Sequence, residues 1–212
     1  AFRVGDLGVG VFFSRQLDDG YRLNDYRRRY NFYLKLREDV SPATSFTTTF
    51  GLLDQYGGQF LYWRDLTNAL IPTAPQQNDN VRSTRYFISG QYNSVLSDGL
   101  LISVRGLWYH NLWGFETLHG YGRAESQADD YRLDAAVTAI LNDVHTVTGG
   151  VEVNMDAIWG DMFNAHTIGG FAAYAQDEIR LADQLLFTGG LRFDFQSVGL
   201  TTPGGQLNPK LT

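Results

Sequence analysis

Along most of the chain, apolar and polar residues alternate at a period of two, the spacing of a β-strand whose two faces see different surroundings. Tyr30, Phe32, Leu34 and Leu36 fall on one face, and Arg29, Asn31, Tyr33, Lys35 and Arg37 on the other. The same split recurs at Leu7 to Phe13, Phe46 to Leu52, Tyr86 to Tyr92, Leu100 to Trp108, Tyr131 to Leu141, Val147 to Met155, Phe171 to Leu181 and Leu185 to Phe195. Helical spacing is nearly absent, so the pattern predicts about nine strands, with a tenth beginning at Leu211. The apolar registers carry one charge, Asp177, whereas the opposite faces carry Arg85, Arg105, Arg132, Asp134, Glu152, Glu178, Arg192 and Asp194.

A soluble β-sandwich would show the same alternation, because its apolar faces meet in a core. Connection lengths separate the two architectures. Short connections fall at Val40 to Ala43, Ser94 to Gly99, Asn142 to His145 and Ala182 to Gln184. Long ones fall between them, at Gln16 to Tyr26, Tyr56 to Asn80, Asn111 to Asp130 and Asp156 to Thr167. Outer-membrane barrels cross with ~9–11 residues, turn tightly on the periplasmic side and loop widely outside. The expected fold is therefore all-β: antiparallel up-and-down strands of a transmembrane β-barrel, with residues 1–212 lying in one barrel domain. Tyr30, Phe46, Tyr86, Tyr92, Trp108 and Tyr131 then stand near strand ends on the lipid-facing register, where amphipathic rings suit the headgroup level.

Composition sharpens this picture. The chain has 212 residues, 23 of them glycine, and 14% are aromatic against 19% charged, a ring-rich and charge-poor mixture unlike disordered protein. No stretch reaches the ~20 apolar residues of a membrane helix. Zero cysteines remove disulfide, thiolate and cysteine-zinc chemistry. The net charge of -6, with Arg27, Arg28 and Arg29 as the one basic cluster, argues against nucleic acid as a partner. Glu116 with His119, or Asp129 with Asp130, could be drawn as acid–base pairs, but nothing fixes their geometry and no Gly-x-Ser-x-Gly elbow is present. No catalytic residue, metal site or cofactor is expected, and the chain reads as a non-enzyme. It begins Ala-Phe-Arg, so any signal peptide is removed or lies outside the sequence.

The C-terminal third carries a recognisable series. Tyr174-Ala-Gln176-Asp177-Glu178 is followed by Gly190-Leu-Arg192-Phe-Asp194 and then by Asn208-Pro209-Lys210, with Gly149-Gly150-Val151-Glu152 upstream. This run resembles the barrel of TonB-dependent outer-membrane receptors over residues 146–212; the rest resembles it by architecture. The resemblance implies a 22-strand barrel of the Gram-negative outer membrane, closed around a plug domain of the same chain. Such a receptor takes up a scarce ligand with energy passed through the TonB complex. The ligand is expected to be an iron–siderophore, with cobalamin or a glycan as alternatives. The chain lacks plug, TonB box and terminal aromatic strand, so it is expected to be an internal part of such a barrel. A different reading is a small autonomous barrel acting as a passive pore, adhesin or rim-site enzyme.

Gln176, Glu178, Arg192 and Asp194 share the polar face of neighbouring strands and are expected to pair inside the lumen as structural groups. Ligand contacts are expected in the long loops, which carry recognition. Tyr62, Trp63 and Arg64 combine rings with a cation, and Tyr109, His110, Trp113 and His119 combine rings with imidazoles. The alternative for these loops is that they fold on one another. Histidine spacing matches no ligand motif, and the Phe-Arg-Ala-Pro and Asn-Pro-Asn-Leu signature typical of haem-receptor barrels is absent.

Overall fold

The computed structural model describes residues 1–74, 77–116, 123–142, 144–161, 164–182, 184–198 and 204–211. They form one 11-stranded antiparallel sheet in which the strands lie side by side in chain order. The first half comprises β1 (Phe2–Val4), β2 (Leu7–Asp18), β3 (Arg27–Ser41), β4 (Thr44–Gly58) and β5 (Asn80–Ser97). The second comprises β6 (Leu100–Glu116), β7 (Arg123–Ile140), β8 (His145–Gly160), β9 (Asn164–Ala182), β10 (Leu185–Val198) and β11 (Gly204–Leu211). Among the described residues β1 and β11 do not pair, so the sheet is open and the small autonomous barrel is not formed.

Cross-strand registers keep the two faces apart. One row on the apolar face runs Val104, Ala135, Val151, Ala173, Phe193 and Leu207 across six strands, and the next residue on each strand points to the polar face. Among the described residues nothing packs on that apolar face. Within the described strands the buried apolar side chains are Ala124 and Ala172, with Pro72 buried in the connection after β4, while Phe13, Leu133, Val153 and Leu191 stay about half exposed or more. A sandwich would have joined two such faces into a core. A single layer with bare apolar side chains is instead the wall of a lipid-facing barrel.

The rings fall in two belts. Near the long-connection end, Trp108 stacks on Tyr131 with centroids 6.3 Å apart, and Tyr86 meets Trp108 edge-on at 5.3 Å. Near the short-turn end, Phe46 and Tyr92 sit directly opposite each other on β4 and β5. The lone acid of the apolar register, Asp177, lies at this same end, and its carboxylate meets His145 Nδ1 at 2.7 Å.

Two features depart from the sequence reading. Extra strands flank the expected nine: Phe2–Val4 pairs with β2, and the last strand starts at Gly204, so Asn208 and Pro209 lie within it. Gly204-Gly205-Gln206 has no apolar alternation, and its pairing with β10 supplies what the pattern could not. The expected loops at Asn111 to Asp130 and Asp156 to Thr167 are largely strand, since β6 runs to Glu116, β7 starts at Arg123, β8 runs to Gly160 and β9 starts at Asn164. Hydrophobic period stops where lipid stops; the backbone ladder does not, because each paired N–H and C=O still gains a partner.

Tight turns close the opposite end. Gly99 occupies φ 85° between Ser97 and Leu100, and a Cβ there would lie 2.8 Å from the Ile140 carbonyl oxygen. Its own carbonyl accepts the Ile140 N–H at 2.6 Å, tying the turn to β7. Gly99→Val is expected to lower stability by about 2 kcal/mol through the left-handed backbone alone, read from the denaturation midpoint of the intact barrel in detergent. An unchanged midpoint would show that the turn adjusts freely.

Candidate functional site

On the polar face of β7–β11 the side chains make a network. Arg192 Nε donates to Asp194 Oδ1 at 2.8 Å, and its Nη2 reaches Glu152 Oε2 at 3.2 Å, two strands away. The reach is possible because the residue between Glu152 and Asp194 in that row is Ala172, small and nearly buried. Asn208 Nδ2 donates to Asp194 Oδ2 at 2.8 Å, which ties β11 into the set. Tyr174 lies across Gly150, where any Cβ would collide with its ring, and its hydroxyl donates to Asp134 Oδ2 at 3.3 Å. Charge-assisted bonds of this kind fix strand register over a face that has no packed core. Arg192 and Asp194 are therefore brought together, whereas Gln176 stands opposite Gly190 and Glu178 opposite Thr188 in the same lumen-facing rows. Glu152, Tyr174, Asp134 and Asn208 complete the network; their parity on the strands was the available signal.

Toward the long-connection end of β2–β6 the polar face changes character. One hydrogen-bonded row carries Phe12, Tyr33, Gly51, Phe87 and Tyr109 on five successive strands. Tyr33 and Phe87 approach to 6.4 Å between centroids. Gly51 is the seat of this row, because the Phe87 ring occupies the space a Cβ would need. The rings line a cleft of about 480 Å³ with Leu53 and Arg85. Polar groups rise above it: Arg85 Nε donates to Asn111 Oδ1 at 3.1 Å, and Arg29 makes two bonds to Gln55 Oε1 at 2.7 and 3.0 Å. Trp113, two residues beyond Asn111, packs on Phe115 at 5.4 Å.

The sequence-predicted binding residues divide among three places. Tyr109 and Trp113 face the polar side from β6, in a strand and not in a loop, since the ladder continues past the apolar pattern. His110, their neighbour, faces the other way. It stacks on Tyr86 at 4.7 Å, and its Nδ1 meets Asp129 Oδ1 at 2.8 Å, which also accepts Trp108 Nε1 at 2.9 Å. His119 lies outside the described residues. Among those described, no group of three or more metal-ligating side chains forms.

Tyr62, Trp63 and Arg64 sit in the 59–79 connection, with Tyr62 67% and Trp63 57% exposed. This segment folds against the 19–26 connection. Asn24 Nδ2 donates to the carbonyls of Asp79 and Gln59, Leu23 N–H to Leu70, and the Arg22 guanidinium lies 4.2 Å over the Phe60 ring. Inside the segment, Arg64 N–H bonds the Ile71 carbonyl at 2.8 Å and Thr73 N–H the Tyr62 carbonyl at 3.2 Å. Phe60 thus anchors the fold while Tyr62 and Trp63 face outward. The Tyr26 phenol, half-buried beneath, is pushed up to about 12 mainly by that desolvation and then by its bond to Tyr56.

The sequence matches the family described as TonB dependent receptor-like, beta-barrel, over residues 3–212. The chain belongs to the TonB-dependent receptor β-barrel family. Solved members of comparable shape include the FrpB iron transporter of Neisseria meningitidis, with TM-score 0.82 at 11% identity over 98% of this chain and 39% of that one. The ferric-catecholate import receptor Fiu of E. coli K12 matches with TM-score 0.75 at 10% identity over 99% of this chain and 47% of its own. FpvA of P. aeruginosa, solved with a pyoverdine–iron complex, matches with TM-score 0.77 at 12% identity over 98% and 36%. The receptor-barrel chain thus spans less than half the length of these structures, and at such identities the likeness is one of fold. No curated protein sequence matches. In a TonB-dependent receptor barrel the polar face is the lumen and the apolar face meets lipid.

Asp65 holds the outer connection of this receptor barrel in shape. Its carboxylate accepts the Asn68 side-chain amide and the N–H groups of Thr67 and Asn68 at 2.8–3.0 Å. The Asn68 amide above all keeps its pKa below the usual carboxylate value. A depressed folded pKa gives stability that is present above the unfolded value of ~3.9 and lost as pH falls through the folded one. Protease nicking of the 59–79 connection is therefore expected to rise in acid below about pH 4, and Asp65→Ala should show the raised rate already at neutral pH. Equal rates for both chains at neutral pH would remove Asp65 from this role.

Proposed function

We propose that this chain is the ligand-facing part of a receptor barrel in the Gram-negative outer membrane, one that takes up an iron–siderophore complex with energy delivered through TonB. The observation that carries this reading is the aromatic row Phe12, Tyr33, Phe87 and Tyr109 in the outer part of the lumen, beneath Arg85 and Arg29. Flat rings offer stacking faces, and fixed guanidinium groups offset the negative charge that iron chelates carry. Rings would also stack on the C–H face of a sugar; it is the guanidinium pair that favours an anionic chelate over a neutral glycan. The exposed pair Tyr62 and Trp63, with Arg64, stands above as the first contact for an incoming ligand, and Trp113 lies between the two levels.

In this reading residues 1–212 are part of one barrel domain, and the plug and remaining strands belong to the rest of the full-length protein. The relatives' partial coverage supports that division. Lipid holds the outer face, the plug fills the lumen beside the Arg192 network, and TonB acts through the plug. Transport without chemical change of the ligand is the activity; Gln176, Glu178, Arg192 and Asp194 serve the wall and not a reaction.

Binding of ferric chelates to the intact receptor can be followed by quenching of its tryptophans. Phe87→Ala and Tyr109→Ala are each expected to weaken the binding of an aryl-bearing ferric chelate by about tenfold, from the loss of ~1–1.5 kcal/mol of ring stacking. Binding of cobalamin or an oligosaccharide, with no response to any ferric chelate, would overturn the iron reading.

A further inference from the structure

The lumenal face is divided by charge. Among the described residues its rows on β3–β6 carry Arg27, Arg29, Lys35, Arg37, Arg85 and Arg105 against one acid, Asp39. On β7 and β8 the same face carries Asp130, Asp134, Glu152 and Asp156 against Arg132. On β9 and β10 Glu178 and Asp194 balance Arg180 and Arg192. The basic part includes the ring row of Tyr33, Phe87 and Tyr109, and it continues below those rings toward the short turns.

Directly beneath Gly51 and Phe87 the side chains become short and neutral. β4 presents Thr49, Thr47 and Ser45 in descending order, and β5 presents Ser89, Gln91 and Asn93 beside them. At ~3.4 Å per residue this column runs about 20 Å from the ring row to its last row. Thr49 is flush with the wall at 9% exposure, and Asn93 Oδ1 accepts Gln91 Nε2 at 3.1 Å and the Ser103 hydroxyl at 3.0 Å. The column ends in a cavity of about 800 Å³ among the turns, lined in part by Arg37, Ser45, Asn93, Ser103 and Thr138. Two cations flank it. Lys35 stands opposite Thr49 on β3, and Arg105 stands opposite Gln91 on β6. Among the described residues neither has an ion-pair partner; Asp134 stands beside Arg105 but accepts the Tyr174 hydroxyl. Arg37, by contrast, is tied to Asp39 at 3.0 Å.

We propose that this column is the lane by which an anionic ligand leaves the ring row for the periplasm, steered by Lys35 and Arg105. The inference rests on the uptake reading above and adds to it the sector of wall that the ligand follows. Hydroxyl and amide groups exchange hydrogen bonds with water at little net cost, so a ligand can pass from one to the next without being held. Opposite unit charges ~7 Å apart in water raise local concentration about threefold. Each flanking cation therefore favours a passing anion by about that factor. The acids of β7 and β8 repel the same anion, which leaves β3–β6 as its side of the lumen.

These 212 residues contain no cysteine, so single cysteines can report on the lane in an intact receptor freed of any others. Ser89→Cys and Thr47→Cys should react faster with a negatively charged methanethiosulfonate than with a positively charged one, and Asn154→Cys on β8 should show the reverse order. Lys35→Gln combined with Arg105→Gln should slow the anionic reagent at Ser89→Cys about tenfold. The same pair should lower the maximal rate of ferric chelate uptake by cells about tenfold, while tryptophan quenching returns the parent binding constant. A bulky maleimide on Ser89→Cys should stop uptake and spare binding, and the same adduct on Asn154→Cys should leave uptake as it was. Folding of every variant is checked by heat-shifted gel mobility. Absence of reagent preference at Ser89→Cys, protection of both lane cysteines as a covering plug would give, or full uptake in the paired variant or after the adduct would each overturn the lane. Loss of binding together with uptake would overturn it as well, because Lys35 and Arg105 would then belong to the binding site. If the parent receptor takes up no ferric chelate, the uptake reading fails and the lane with it. If the parent takes it up and the lane variants do so equally, this inference fails alone.

Discussion

A chain that crosses hydrocarbon must satisfy every backbone N–H and C=O from within, because no water is there to take their place. In this protein the antiparallel ladder meets that demand from both sides for β3 to β9, while β2 beyond Val9 is paired on its β3 side among the described residues, and most other features are arranged around that ladder. The strands carry no packed core, so the ladder alone holds neighbours together along the wall, and side chains act as register marks on either face. On the lumenal side these marks are ionic: Arg192 bridges Glu152 and Asp194 across Ala172, and Asn208 extends the set to β11. On the lipid side they are rings, placed in belts at both ends of the apolar band.

The ladder also explains the extent of the strands. Lipid sets the length of the apolar band, but it does not set the length of the hydrogen-bonded pair. Strands such as β5, β7 and β9 run to 18 or 19 residues, well past the ~9–11 needed for a crossing. Their outer parts stand in water on one side and in the mouth of the lumen on the other. Recognition chemistry can therefore sit on a rigid wall and not on a loose loop. Phe12, Tyr33, Phe87 and Tyr109 hold fixed positions because each belongs to a paired strand, and Gly51 leaves the gap in which Phe87 settles.

The outer wall follows the same parity. The same parity that aims Arg29 at the lumen aims Arg28 outward, so one short basic run serves both faces. Alternation makes a strand a two-sided device, and neighbouring residues such as Tyr109 and His110 work in surroundings that never meet. Tyr109 joins the lumenal row, while His110 pairs with Asp129 beside Trp108 above the lipid band.

The amino-acid sequence by itself determined which side chains share a face, because period two is a property of the extended chain and needs no neighbour. It therefore determined the architecture, the ring belts and the polar placement of Arg192 and Asp194. Only the tertiary structure decided where strands end and which residues meet across them. Those depend on pairing, and pairing continues where the apolar period has already stopped, as in β6 and β8, or never starts, as at Gly204. For the same reason the residues grouped as loops by their polarity are divided by the sheet: Tyr62, Trp63 and Arg64 remain outside, Tyr109 and Trp113 enter the lumen, and His110 turns to the outer wall. Register across five strands, which no single segment encodes, brought Phe12 and Tyr109 into one row.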